Sequence, residues 1–365
     1  MKKLFALILT ILLTISLLAG CAGTTVVIGN CDCPCKDQTP TNPSNPTNPT
    51  DPSKPAEGAL KLGMSVSTTI SDSVSAAENA PGEIKYDVTI AAVLVDDNGV
   101  IVSCVIDSIP ATVKFDTTGK ITTDLTADVL TKNELGDDYN MVAWGGAKAE
   151  WYAQVAAFAR YAEGKTVEQL KNGDIDMTTG KAKDDTDLAS SASIYLAGYV
   201  YAVEAAVSNA EHRGAQAGDV LVLSTLNSLK SSVSATADAK GTAQLDADMV
   251  ALTKNGDKIT SCYIDSLQAK VSFDATGKIT TDLTADVLTK NELGDAYNMV
   301  AWGGAMAEWN VQAAAFADYV TGKTAEEVAG IAVSESTKPA DGTDLSASVT
   351  IAIGGLQALI AKAMK

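Results

Sequence analysis

The chain contains one histidine, His212, and this limits the kinds of catalytic site that it can hold. A Ser-His-Asp or Cys-His site in each half would need a histidine in each half, so that chemistry is excluded. The Gly-x-Ser-x-Gly, P-loop and His-Glu-x-x-His patterns do not occur either. Paired carboxylates remain available, and a hydrolase using them is the last of our hypotheses. We expect His212 to be a solvated surface residue and the protein not to be an enzyme.

The cysteines fall into groups with different expected chemistry. Cys31, Cys33 and Cys35 alternate in the sequence and offer two interpretations. They could bind a soft metal or react with oxidants, or they could be exposed thiols that oxidise among themselves. Because three thiolates lack a fourth ligand, we assign no metal site to them. Cys104 and Cys262 lie inside apolar runs and are expected to be small buried hydrophobes.

An acidic loop at residues 133–140 could be a calcium site, since calcium prefers a compact set of hard oxygens. The loop lacks the ligand spacing of an EF-hand, and Asp138 is replaced by Ala296 in a second version of the same segment. The alternative is a loop of solvated carboxylates.

Clusters of hydroxyl side chains come shortly before two apolar segments that are predicted to be helices. One cluster contains Ser346, Ser348 and Thr350, and the other contains Ser191 and Ser193. Hydroxyl groups beside a helix N-terminus suit a phosphate group. The alternative is that they cap the N-terminus of a buried helix.

The first twenty residues carry an export signal. Lys2 and Lys3 precede an apolar run over residues 4–18, which is too short to span a bilayer. The run ends in Leu18-Ala19-Gly20-Cys21, which resembles the lipobox of bacterial lipoproteins. The resemblance implies removal of residues 1–20 and lipidation of Cys21, which would anchor the chain to the extracellular face of the membrane. An ordinary signal peptide with an incidental cysteine is the alternative.

A tether is predicted over residues 21–57. Proline recurs at every third position from Pro40 to Pro55, separated by polar residues. This period suits polyproline II, which would give the proline-rich segment a length on the order of 50 Å.

The net charge of −18 argues against nucleic acid or an anionic membrane surface as a partner. The hydrophobic content of 46% is sufficient for packed cores.

An internal duplication dominates the rest of the sequence. Residues 116–150 and 274–308 match at every position but three. The order of predicted elements persists beyond this block, which places one copy at residues 58–210 and the other at residues 211–365. We expect each copy to bury a core of its own.

Each copy is predicted to contain a β-hairpin followed by a third strand. The turns are at Asp97-Asn98-Gly99 and Asn255-Gly256, and the third strands are expected at residues 111–115 and 269–273. A serine- and alanine-rich opening segment is expected to form a helix or loop.

A helix is predicted over residues 141–161, with a tryptophan stripe that includes Trp144 and Trp151. The second copy repeats this stripe at Trp302 and Trp309. The stripe is interpreted as core, with a ligand platform as the alternative.

Thr166 is expected to cap a short helix, and a closing helix ends each copy. The predicted class is α+β, with two tandem copies of a small antiparallel sheet packed by helices, after a signal peptide and a Pro-rich tether.

These elements, with the closing stretch Asp344-Leu345-Ser346-Ala347-Ser348-Val349-Thr350-Ile351, resemble repeat domains of Firmicutes surface lipoproteins. Those domains in turn distantly resemble the FMN-binding domains of extracellular flavoproteins. The resemblance implies FMN as a cofactor, with Ser346, Ser348 and Thr350 at its phosphate and Ser191 and Ser193 as first-copy counterparts. Thr350 would replace a threonine that some members link to FMN.

If FMN binds at this stretch, we expect Tyr297 or the tryptophan stripe to cover the flavin ring, provided that one of them is exposed rather than core. The sequence thus favours a noncatalytic cell-surface lipoprotein with tandem FMN-binding-like domains, serving extracellular electron transfer. The alternative is a structural or partner-binding surface lipoprotein without flavin.

Overall fold

Residues 58–365 are described by a computed structural model, so the predicted signal peptide, Cys21, the Cys31–Cys35 group and the predicted tether lie outside the described residues. The first copy contains β1 (Ala59–Thr69), β2 (Gly82–Val95), β3 (Ile101–Phe115), α1 (Lys132–Leu135), α2 (Met141–Gly145), α3 (Trp151–Ala162), α4 (Val167–Asn172), β4 (Ile175–Asp176), β5 (Lys181–Ala182), α5 (Asp187–Ser191) and α6 (Ala197–Ser208). The second contains β6 (Glu211–Gln216), β7 (Val220–Ser228), β8 (Gly241–Asn255), β9 (Lys258–Phe273), α7 (Lys290–Leu293), α8 (Met299–Gly303), α9 (Trp309–Val320), α10 (Ala325–Ala329) and α11 (Gly354–Ala363). Short 3-10 turns occupy Gly136–Tyr139, Gly294–Tyr297 and Leu345–Ala347.

Each copy is built on a meander of long antiparallel strands. The sheet orders are β3-β2-β1-β6 and β7-β8-β9, so β6 leaves the second copy and pairs with β1 of the first. The α+β prediction is confirmed: small antiparallel sheets are packed by helices. No helix within residues 58–365 is long and apolar enough to cross a membrane.

The strands have two buried faces, and these faces form three cores. In β2, Ile90, Ala92 and Leu94 face the other copy's sheet, whereas Ala91 and Val93 face helices of their own copy. This alternation follows from the two-residue period of a strand. The layers are therefore helices, sheet, sheet and helices. Each copy buries a core between its sheet and its helices, and the two copies share a third core between the sheets.

The shared core has an approximate two-fold relation. Phe115 and Phe273 stack across it with their ring centroids 4.2 Å apart. The backbone N–H of Ala76 donates to the carbonyl of Gly277, and that of Ala235 donates to the carbonyl of Gly119, each at 2.8 Å. Such reciprocal contacts are those of a self-complementary dimer interface, here formed within one chain.

Gly119 and Gly277 are required at this interface. Both have φ of +71°, and a Cβ atom on either would lie 2.6 Å from an alanine Cβ of the other copy. No larger residue fits the conformation or the space.

Three details of the predicted elements are wrong. The opening segment begins as strand β1 at Ala59–Thr69, because its apolar residues alternate into the shared core. The third strand is the continuation of β3 rather than a separate element. The helix over residues 141–161 is two helices, α2 and α3, because Gly146 adopts a left-handed conformation that ends α2.

Candidate functional site

A buried glutamine on the tryptophan helix organises the hydroxyl stretch in each copy. The side-chain oxygen of Gln312 accepts from Thr350 N at 2.7 Å, Thr350 Oγ1 at 3.0 Å and Ile351 N at 3.2 Å. Gln154 does the same in the first copy for Ser193 N at 2.7 Å, Ser193 Oγ at 3.2 Å and Ile194 N at 3.2 Å. These matched contacts make Ser193 the structural counterpart of Thr350.

The remaining hydroxyls bond to nearby backbone. Ser346 donates to Thr343 O at 2.7 Å, Ser348 to Leu345 O at 3.4 Å, and Ser191 to Asp187 O at 3.2 Å. The closing helices α6 and α11 begin after Leu196 and Ile353, and neither end has a side-chain cap. The alternative interpretation of the stretch as helix caps is therefore wrong for the closing helices.

Thr350 lines a cavity of about 360 Å³ in the second copy. This volume is within the range of small-molecule sites. The walls come from β8, α7, the adjoining 3-10 turn, α9, the exposed Lys338 and α11. The polar and aromatic side chains that line the cavity are Asp248, Lys290, Tyr297, Trp309, Lys338 and Thr350.

Two aromatic rings and a cation form one wall. The Lys290 ammonium lies 4.9 Å from the ring centroid of Trp309 and 5.4 Å from that of Tyr297. The Tyr297 hydroxyl donates to Gln268 Oε1 at 3.0 Å, which fixes the ring. A planar ligand could stack on this wall.

The charged groups of the cavity are perturbed by burial. Burial raises the pKa of Asp248, and the nearby Lys290 opposes that rise. Burial lowers the pKa of Lys290, and Asp248 opposes that fall. Titratable groups perturbed by burial and by a specific charge partner are characteristic of functional sites.

The corresponding space in the first copy is filled by Tyr199. Its hydroxyl accepts from Trp151 Nε1 at 2.9 Å, and its ring meets the Trp151 ring edge-on at 6.2 Å. When the two closing segments are aligned at Ser193 and Thr350, Leu356 corresponds to Tyr199 and Ala352 corresponds to Tyr195. The second copy has smaller side chains at both places, and Leu356 offers no hydroxyl to Trp309.

Trp144 and Trp302 do not belong to the core. Each is 89% exposed, so the prediction of a continuous buried stripe is wrong for these two and confirmed for Trp151 and Trp309. The short helix that carries Trp144 is held by Glu150, whose carboxylate accepts from Met141 N at 2.8 Å and Val142 N at 2.9 Å.

The other candidate residues have structural partners. His212 lies exposed on β6, as predicted for a surface residue, and its Nε2 is 3.0 Å from Asp97 Oδ1. In the acidic loop, Glu134 completes a capping box with Thr131. Within residues 58–365 no group of three His, Cys, Asp or Glu residues is placed to hold a metal ion. Cys104 and Cys262 are buried, as predicted.

Sequence reasoning missed Gln154, Gln312, Tyr199 and Leu356. The only available signal was an alignment of the two closing segments, in which two tyrosines of the first copy correspond to an alanine and a leucine of the second. Comparison with known proteins adds no relatives: no family model, curated protein or solved structure matches the chain.

Proposed function

We propose that the protein is a noncatalytic lipoprotein of the extracellular membrane face, whose second copy binds a planar ligand with an anionic group, FMN being the first candidate. The observation that carries this is the cavity in which Tyr297, Trp309 and Thr350 meet Lys290 and Lys338. A role in extracellular electron transfer would follow from bound flavin.

The cavity is suited in part to FMN. Its aromatic wall can stack on a flavin ring, and the two lysines can attract a phosphate group. The Thr350 hydroxyl donates to Gln312, so its oxygen remains an acceptor at the cavity wall. Ser346 and Ser348 also donate to internal acceptors, and neither lines the cavity. The proposed binding groups are therefore the lysines for the phosphate and Thr350 as an acceptor for a ligand hydroxyl or N–H.

Titration of FMN with the mature protein tests this proposal through quenching of flavin fluorescence. Because Lys338 is exposed, Lys338→Ala should not affect folding and should weaken binding about fivefold, the effect of losing one ion pair of roughly 1 kcal/mol. Lys181→Ala is the matched control, because Lys181 is the first-copy counterpart of Lys338. Lys181 follows Gly180 and Lys338 follows Thr337, and the carbonyls of Gly180 and Thr337 each accept a backbone hydrogen bond from the closing segment of their own copy. Absence of quenching, or equal weakening by both variants, would refute a site in the second copy.

The anchor is tested separately. Cys21→Ser removes the thiol that the lipobox resemblance assigns to lipidation. The variant should lose incorporation of labelled lipid and leave the detergent phase, or accumulate as the uncleaved precursor. Normal processing and unchanged partitioning would show that Cys21 is not the anchor.

Partner binding is the second candidate function, and the exposed Trp144 and Trp302 favour it. A large aromatic side chain held in water on a fixed helix is typical of a contact residue rather than a packing residue. Trp144→Ala together with Trp302→Ala should leave the melting temperature unchanged and reduce attachment of the protein to isolated cell walls. Unchanged attachment would count against this second candidate.

A further inference from the structure

The two copies keep the same walls around the buried tryptophan. In the first copy, Lys132 lies 5.3 Å from the ring centroids of both Tyr139 and Trp151. This repeats the arrangement of Lys290 with Tyr297 and Trp309. The hydroxyl residue is also kept, since Ser193 bonds to Gln154 as Thr350 bonds to Gln312.

Among the side chains that differ between the copies, the one that the closing helix places between these walls is Tyr199 in the first copy and Leu356 in the second. Tyr195, the counterpart of Ala352, precedes that helix and is 59% exposed. Tyr199 on α6 occupies the first copy, with its ring centroid 6.2 Å from that of Trp151 and 6.0 Å from that of Phe158. Burial raises the pKa of Tyr199 to about 12, and its hydroxyl oxygen accepts from Trp151 Nε1 at 2.9 Å, which holds the ring in place. Leu356 on α11 leaves the corresponding space in the second copy as part of the cavity.

We infer that the first copy contains a latent ligand site of the same chemical class, closed by Tyr199, and that the residue at this position decides whether a copy binds ligand. The identity of the ligand rests on the proposed function, whereas the closure of the first copy by Tyr199 does not depend on that function. It implies that the parent protein binds one ligand per chain, in the second copy.

Exchanging the two residues tests this in the full mature chain. Tyr199→Leu should open the first copy and raise the FMN stoichiometry from one to two. Leu356→Tyr should fill the second cavity and abolish binding. Two readouts are needed: FMN titration, and hydrogen exchange of the tryptophan indole N–H groups, observed by nitrogen-15 NMR without any ligand.

The indole readout separates closure from ligand identity. Exchange at Trp151 should become roughly tenfold faster in Tyr199→Leu, and exchange at Trp309 should slow similarly in Leu356→Tyr, as expected for one hydrogen bond lost or gained. Tyr199→Phe is the matched control. It removes the hydroxyl but keeps the ring, so it should speed exchange at Trp151 without creating a second FMN site.

The outcomes are distinguishable. If indole exchange changes as described while the parent binds no FMN, the closing role of Tyr199 is supported and the proposed flavin function fails. If the parent binds FMN and folded Tyr199→Leu still binds only one, or Leu356→Tyr keeps full binding, the inference is overturned. Leu356→Tyr decides the question should Tyr199→Leu not fold.

Discussion

The two copies differ least in residues 116–150 and 274–308, which supply the same lysine and tyrosine wall in both, and most where the closing helix meets the tryptophan helix. Residues 116–150 and 274–308 are almost identical and form the same helices and turns. Beyond them, Tyr199 bonds to Trp151 in one copy while Leu356 faces Trp309 in the other. The comparison teaches that near-identity of sequence marks shared architecture here, and that the proposed difference in ligand binding lies in the diverged segment.

The shared core should give the largest effect when it is disturbed. Phe273→Ala and Phe115→Ala each remove one ring of the stack and should each lower the free energy of unfolding by about 4 kcal/mol. Because both copies contribute to that core, urea unfolding followed by far-UV circular dichroism should show one transition, displaced equally by either variant. Two transitions, only one of them displaced, would mean that the copies fold independently.

A smaller effect on stability is expected at the two buried aspartates, Asp107 and Asp265, whose carboxylates accept from backbone N–H groups of α1 and α7. Asp265 accepts from Ser266 N at 2.7 Å and Asn291 N at 3.1 Å, and burial raises its pKa to about 6 from 3.8. The native state therefore binds this proton more tightly than the unfolded state does. The resulting stability is fully present below pH 3.8 and is lost as the pH rises through 6.

Asp265→Asn keeps an acceptor for both N–H groups and removes the titration. Relative to the parent, it should gain stability between pH 4 and pH 7 by up to about 3 kcal/mol, the value of the pKa shift. Urea midpoints at several pH values measure the difference. Asp107→Asn is the first-copy counterpart and should show the same direction, because burial raises the pKa of Asp107 too. A difference that is independent of pH would contradict the assignment.

The smallest predicted effect concerns the charge within the cavity. Asp248 on β8 corresponds to Thr89 on β2 of the first copy. Each of these residues is adjacent along its strand to residues of the shared core. Asp248→Thr removes a carboxylate that repels an anionic ligand and should tighten FMN binding about fivefold at pH 8, roughly 1 kcal/mol. Because burial raises the pKa of Asp248 above its usual value, the advantage over the parent should shrink as the pH falls and the carboxyl of the parent becomes protonated. Weaker binding in the variant would show that Asp248 contacts the ligand favourably.

Much of the fold followed from local patterns in the sequence. The hairpin turn at Asn255-Gly256 and the cap at Thr166 depend on residues close in sequence, and both are confirmed. The packing of one sheet on the other was not predicted. Its signal is the buried run Ile90–Val95, where both strand faces are apolar, and this run could equally have been covered by helices on each side.

The site could be predicted only in part. Thr350, Tyr297 and Trp309 were named from the sequence, and the structure brings them to one cavity. The role of Gln312 depends on a partner 38 residues away. The closure by Tyr199 depends on a contact spanning 48 residues. Neither separation has a local periodicity that sequence reasoning could detect.

One measurement tests the central claim most directly. The four tryptophan indole N–H signals of the mature protein, labelled with nitrogen-15 and assigned by single Trp→Phe variants, are followed while FMN is added. A ligand in the second-copy cavity should shift the Trp309 signal and leave that of Trp151 in place. If Trp309 does not move, or if Trp151 moves with it, the account of one open and one closed copy is contradicted.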